Sequence, residues 1–249
     1  MSLAVLVLIL ASFIAGAQNA LAGGGSFLTF PALLYAGLDP RAANITSAIA
    51  LFPGQITTGF AGRSMLSSAA GLSIRTLIIL SLVGGGLGAI LLLLTPVTVF
   101  THLVPFLVLF ATVVFAWGSF LRKPRPADAP PQVSPRTAAI LQFLISIYGG
   151  YFGGGIGILM LAALTAAGLA VRHAGATKNV LAGVMNAIAV LIFILKTHVE
   201  WLLVLYVAIA AIAGGQLGVF MLRRINETLL RVAITAIGLG LTIALFLKL

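Results

Sequence analysis

Apolar residues fill the chain in blocks of about twenty, the length an α-helix needs to cross roughly 30 Å of hydrocarbon. Such blocks run over residues 42–62, 74–94, 97–120, 175–195, 199–221 and 228–247. Two longer blocks, 3–38 and 137–169, are each interrupted by a glycine triplet, Gly23-Gly24-Gly25 and Gly153-Gly154-Gly155. Glycine is the poorest helix former after proline, so each triplet predicts a break inside an otherwise helical segment. Strict apolar/polar alternation is absent, which argues against a transmembrane β-barrel.

A polar, proline-rich stretch over residues 122–136 has no apolar period and divides the chain into a first repeat, 1–121, and a second, 137–249. With the glycine triplets overlaid and one residue inserted, Gly37-Leu38 falls on Gly168-Leu169, Arg41 on Arg172, Thr46 on Thr177 and Gln55 on Asn186. Polar coincidences of this kind weigh more than matches among Gly, Ala and Leu, and they indicate an internal repeat. Each half reads as a glycine-broken segment followed by three spans. Residues 27–38 give only about 18 Å of helix, too short to cross alone.

Charge decides between a single crossing and a hairpin at each broken segment. With hairpins, 11 of the 14 Lys and Arg residues share one face: Arg63, Arg75, Arg122, Lys123, Arg125, Arg136, Arg172, Lys178, Arg223, Arg224 and Arg231. Arg41, Lys196 and Lys248 remain opposite, whereas single crossings divide the bases almost evenly. The positive-inside rule favours the hairpins. Five elements per half is an odd number, so the second repeat starts from the opposite face. The expected fold is an all-α polytopic membrane protein of two inverted repeats, each a glycine-broken hairpin plus three transmembrane helices, as in many secondary transporters. Both termini then lie outside, with the linker in the cytoplasm.

Composition agrees with membrane insertion: the 249 residues are 61% hydrophobic, 7% charged, and have a mean hydropathy of +1.21. The formal charge of +10 comes from bases scattered between apolar spans, a pattern that faces anionic lipid and sets topology rather than binding nucleic acid. No basic stretch precedes the first segment, which runs on into more membrane sequence, so a cleaved signal peptide is not expected. With no cysteine, thiolate metal sites, thiol catalysis and disulfides are excluded. The four acids, Asp39, Asp128, Glu200 and Glu227, fall in loops or at span ends. Sodium and proton pathways leave carboxylates in the membrane, and cation channels use acidic rings, so their absence from the spans favours an anionic substrate.

A helix broken inside the bilayer must have its freed backbone groups satisfied by protein, water or ligand. The segments after the triplets, beginning at Ser26 and Ile156, present free N–H groups and positive dipole ends at the break, and two such ends suit one small anion. The competing reading is that the glycines serve close helix packing. Side-chain candidates are Asn44, Thr46, Ser47 and Gln55 in the first half, and Thr177, Lys178, Asn179 and Asn186 in the second. Thr46 and Gln55 are nine apart, as are Thr177 and Asn186, and about 900° of helical rotation puts each pair on opposite faces. Either Pro53-Gly54 breaks the first of these helices or one member of each pair faces the substrate. Lys178 reads as a surface base or as a buried counter-ion. Ser26 with His102, His173 or His198 would be needed for an intramembrane serine hydrolase, but no Gly-x-Ser-x-Gly elbow is present. No metal or cofactor motif occurs.

In Asn19-Ala-Leu-Ala-Gly-Gly-Gly-Ser26, Thr29-Phe-Pro-Ala-Leu-Leu34, Ala43-Asn-Ile-Thr-Ser47, Gly153-Gly-Gly155 and Ala176-Thr-Lys-Asn179 the chain resembles the TauE/SafE family of sulfite exporters and related permeases. The resemblance covers nearly the whole chain. It implies transport, most often export, of a small sulfur-containing anion such as sulfite, sulfoacetate or thiosulfate across a bacterial-type cytoplasmic membrane. One departure is that the first half has Thr46-Ser47-Ala48 where the family pattern carries a lysine, so only the second half supplies one, Lys178. The resulting expectation is a secondary transporter, not an enzyme, whose partners are the anion and lipid, with no cofactor; a homo-oligomer is left open. The anion would sit among Gly23, Gly24, Gly25, Ser26, Thr46, Ser47, Gln55, Gly153, Gly154, Gly155, Ile156, Thr177, Lys178, Asn179 and Asn186. An anion channel with the same site is the alternative.

Overall fold

The computed structural model describes residues 3–21, 24–121, 130–222 and 227–247. Gly23 and the bases Arg122, Lys123, Arg125, Arg223, Arg224 and Lys248 lie outside them. The described residues form helices α1 (Leu3–Leu21), α2 (Ser26–Tyr35), α3 (Pro40–Gly62), α4 (Ile74–Leu94) and α5 (Val97–Ala116). After the linker come α6 (Pro135–Tyr151), α7 (Ile156–Ala166), α8 (Val171–Lys196), α9 (Trp201–Leu222) and α10 (Glu227–Phe246). Each half therefore has a helix, a short helix after the glycines, and three long helices.

The two short helices stop before the expected residues 38 and 169, and for one local reason. Gly37 and Gly168 take φ of 100° and 95°, the left-handed region that ends a helix. Around them Leu38 N–H donates to Leu33 O and Gly37 N–H to Leu34 O, and Leu169 and Gly168 repeat this pattern onto Leu164 O and Thr165 O. At α3 the Asp39 side chain accepts from the amides of Arg41 and Ala42, with Pro40 at the first turn. Ser73 and Ser134 cap α4 and α6 through the amides of Thr76 and Thr137. Asp39→Ala should lower stability by about 1 kcal/mol, read as a fall in melting temperature of the detergent-purified protein.

The largest helix–helix contacts come in corresponding pairs. α1 packs on α9 as α6 packs on α4, α3 packs on α9 as α8 packs on α4, and α3·α8 and α5·α10 are pairs of counterparts. The first two interfaces are backbone to backbone: a Cβ on Gly16 would strike Ala211 O, and one on Gly214 would strike Phe13 O. On the counterpart interface, a Cβ on Gly88 would strike Ile147 O and one on Gly150 would strike Gly85 O. Close approach of this kind is how small residues hold helices together in lipid.

Polarity is inside out. Ile79, Val113, Leu205 and Ile209 are among the large apolar side chains on the outside, while Ser81, Gln142, Ser146, Thr177 and Asn186 are buried. Gln142 Nε2 donates across the α4–α6 interface to Ser81 Oγ at 2.9 Å. By length and composition, residues 74–94, 97–121 and 171–196 can each cross a membrane. The chain is a multi-pass membrane protein.

Loop contacts gather into two ends. At one, Arg41 Nη1 donates to Thr95 O at 3.1 Å, and Asp39, Arg41, Lys196, His198 and Glu200 line one cavity. At the other, Ala70 N–H donates to Ala167 O, Gln132 N–H to Ala166 O, and Ser67 Oγ lies 2.8 Å from His173 Nδ1. We refer to these as the Arg41 end and the Arg172 end.

Candidate functional site

The chain turns back at each glycine triplet for two distinct reasons. Gly24, Gly153 and Gly155 take φ of 90°, 80° and 75°, where a side chain would be strained. Gly25 has an ordinary helical φ, but a Cβ there would lie 2.8 Å from Ala15 O, so glycine is required for contact with α1. The break and the packing readings of the triplets thus both describe something real. Past each turn a new helix starts: Phe27 N–H donates to Gly24 O, Leu28 and Thr29 to Gly25 O, and Ile158 and Leu159 to Gly155 O, so the amides of Ser26, and of Ile156 and Gly157, come before the helical ladder.

Both breaks border one central cavity of about 60 Å³, where a water needs about 10–15 Å³ on the same measure, so its size admits a group of a few heavy atoms. The first hairpin contributes Asn19, Gly24 and Ser26, and the second Gly149, Gly150, Gly153, Ile156 and Gly157. α3 and α8 close it from both sides with Asn44, Ser47 and Gln55, and with Lys178, Asn179 and Asn186. Lys178 is the one charged side chain among these lining residues.

The walls are tied across the halves by Asn186 Nδ2, which donates to Gln55 Oε1 at 2.6 Å, and by Asn44 Nδ2, which donates to Tyr151 O at 3.0 Å; within the first half Thr29 Oγ1 pairs with Ser47 Oγ at 2.6 Å. Lys178 is 6% exposed and makes no hydrogen bond or ion pair with any described residue.

Of the residues singled out by sequence, Gly24, Ser26, Ser47, Gln55, Gly153, Ile156, Lys178, Asn179 and Asn186 line this cavity. Gly25 and Gly155 form the turns just behind it, and Gly154 lines a smaller apolar recess beside Phe27 and Phe30. Thr46 opens instead onto the cavity at the Arg41 end, and Thr177 Oγ1 accepts from Ser67 N–H at 3.2 Å. α3 continues through Pro53, so of the two geometries open to the nine-residue pairs, one member of each pair faces inward. Asn19, Thr58, Gly149 and Gly150 were not anticipated as lining residues. Asn19 had a readable signal, the adjacent amides Gln18-Asn19 in an apolar run just before the triplet. None of the histidines lines the cavity that holds Ser26; His173 pairs with Ser67, and His102 Nδ1 lies against Thr98 O.

The cavity continues toward the Arg172 end. Asn19, Leu51, Thr58 and Asn179 also line a second cavity, of about 460 Å³, that reaches Met65 and Arg172. Toward the Arg41 end no lining residue is shared. There Phe193, 1% exposed, closes the central cavity, while its neighbour Ile192 lines the cavity of about 750 Å³ beyond.

The family model described as "Sulfite exporter TauE/SafE" matches residues 8–245. The chain belongs to the TauE/SafE sulfite exporter family. Its relatives include a "Probable membrane transporter protein" of Haemophilus influenzae, 27% identical over 239 residues and covering 95% of this chain and 92% of the relative. The "Probable membrane transporter protein ORF9" of Sinorhizobium sp is 32% identical over 217 residues, covering 85% and 80%. The "Probable membrane transporter protein YfcA" of Escherichia coli strain K12 is 28% identical over 240 residues, covering 93% and 86%. With these relatives and its apolar helices, the protein is a transmembrane transporter of the TauE/SafE family.

Proposed function

We propose that this TauE/SafE protein is a secondary transporter that exports a small sulfur-containing anion, such as sulfite, sulfoacetate or thiosulfate, by alternating access. The observation that carries the reading is the central cavity between the two glycine breaks, bordered by helix N-termini, hydroxyls and amides, with one cation and no acid among its described lining. Such a lining stabilises negative charge by dipoles and neutral donors, which hold an anion yet let it leave. The proposed contacts are Ser26, Ser47, Gln55, Lys178, Asn179, Asn186 and the backbone at Gly24, Gly153 and Ile156; Thr46 and Thr177 are left out because they face elsewhere. No enzymatic role is proposed.

Residues 1–121 and 137–249 form the two repeats in this reading, joined by the 122–136 linker, and they are inverted. In support, the α2–α3 link at Asp39 lies at the Arg41 end whereas its counterpart, the α7–α8 link at Ala167, lies at the Arg172 end. Arg63, Arg172 and His173 share the Arg172 end, the side the positive-inside rule assigns to the cytoplasm of a bacterial inner membrane, leaving both termini outside. The cavity that reaches Arg172 then corresponds to an inward-facing state, closed outward by the single turn of α8 at Phe193.

A carrier and an anion channel differ in counterflow. Proteoliposomes loaded with unlabelled sulfite should transiently accumulate labelled external sulfite above its equilibrium level, saturably in concentration. Conductance that neither saturates nor shows counterflow would establish the channel instead.

A further inference from the structure

Lys178 sits two turns inside α8, buried, on the wall of the central cavity, and without a partner among the described residues. An ammonium so placed is costly unless an opposite charge arrives. Among the described residues, the elements packed around it supply no acid. α8 packs on α3, α4, α6, α7 and the turn Arg63–Met65. Their ionisable groups are Arg41, Arg63, Arg75, Arg136, Tyr148 and Tyr151; α7 has none, and α8 itself adds Arg172, His173 and Lys196. The α1–α2 hairpin across the cavity contributes only Tyr35. Every charged group on this list is a cation or a base that becomes one.

A lysine amine, unlike a guanidinium, can resolve this by losing its proton. We propose that Lys178 carries the proton that accompanies the anion, making the protein a proton–anion cotransporter that is electroneutral when the anion is monovalent. The amine takes one proton from the bulk solution, through the open cavity, as a monovalent anion binds, giving an ion pair of no net charge. When the anion leaves on the other side, the proton leaves with it and the free amine remains. Both the loaded and the empty carrier then reorient with an uncharged core. No membrane carboxylate is required, which fits their absence from the spans.

This inference rests on the anion site proposed above, and the test separates the two. Methanesulfonate does not titrate in the working range, so any proton taken up on its binding must go to the protein. Titration calorimetry in buffers of different ionisation enthalpy counts that proton. The wild type should take up about one proton per methanesulfonate bound at the alkaline end of a pH series, falling toward none at the acid end. Lys178→Arg, permanently charged, should bind without proton uptake at any pH, and Lys178→Gln should bind at least tenfold more weakly with no uptake. Saturable binding to the wild type with no proton uptake across the series would overturn the coupling and leave the anion site standing. If neither methanesulfonate nor sulfite, sulfoacetate or thiosulfate binds, the site reading itself fails and the coupling with it.

Discussion

Gly214→Leu should prevent stable assembly of the helix bundle. Its Cβ would occupy the position of Phe13 O, so α1 and α9 must separate along the interface that also uses Gly16 against Ala211. Neither contact involves the end of a flexible side chain that can swing aside. Both are backbone, and the expected loss is on the order of 3–5 kcal/mol, large against the marginal stability of a protein. Gly240→Leu is the matched control, because nothing lies within 4 Å of a Cβ there. Size-exclusion profiles and melting temperatures in detergent should show Gly214→Leu aggregated or strongly destabilised and Gly240→Leu close to wild type.

Lys178→Met should separate stability from function in the opposite sense. The substitution preserves the unbranched stem and removes a buried ionisable group that has no partner among the described residues and is costly in either protonation state. Replacing buried ionic groups by apolar ones of similar volume is often neutral or stabilising by about 1–4 kcal/mol. The anion-free variant should therefore melt at or above the wild-type temperature. Its transport of sulfite should fall at least a hundredfold, because no cation remains on the cavity wall. A variant that melts well below wild type would show that Lys178 is tied into the folded state by contacts the structure does not contain.

The fold was legible in the sequence wherever one local signal decided it. Gly23-Gly24-Gly25 and Gly153-Gly154-Gly155 marked the breaks, and the helices after them are the short ones. Asp39-Pro40, Ser73 and Ser134-Pro135 are recognisable helix starts. Pro53 misled only as far as it left a break in α3 open. Proline is tolerated inside a membrane helix when its surroundings re-satisfy the freed backbone, and α3 runs unbroken from Pro40 to Gly62.

The lining of the candidate cavity was legible in residue type but not in direction. Apolar residues surround α3 and α8 on every side, so helical periodicity carries no information about which polar residue faces the cavity. Gln55 and Asn186 point inward and pair with each other, whereas Thr46 and Thr177, nine residues away, look toward opposite ends of the protein. Lys178 is six residues from Arg172, and charge counting groups the two at one face, yet the lysine is buried because α8 enters the protein between α3 and α7. The backbone contacts of Gly84 to Gly88 on α4, and of Gly214 on α9, needed the partner helices to be seen, although the similar strings Gly84-Gly-Gly-Leu-Gly88 and Gly214-Gly-Gln-Leu-Gly218 were there to be compared.

A sulfur anion held between the two breaks can be tested by binding in the wild type and in Ala48→Leu and Ala182→Leu, which add bulk to the cavity from α3 and from α8 without touching a glycine turn. Melting temperature would be followed against sulfite, thiosulfate, sulfoacetate, methanesulfonate, sulfate and chloride. The wild type should be stabilised saturably by at least one sulfur anion and not by chloride at equal ionic strength, and both variants should lose that response while remaining folded. If both folded variants respond as the wild type does, the anion binds elsewhere and the cavity between the glycine breaks is not its site.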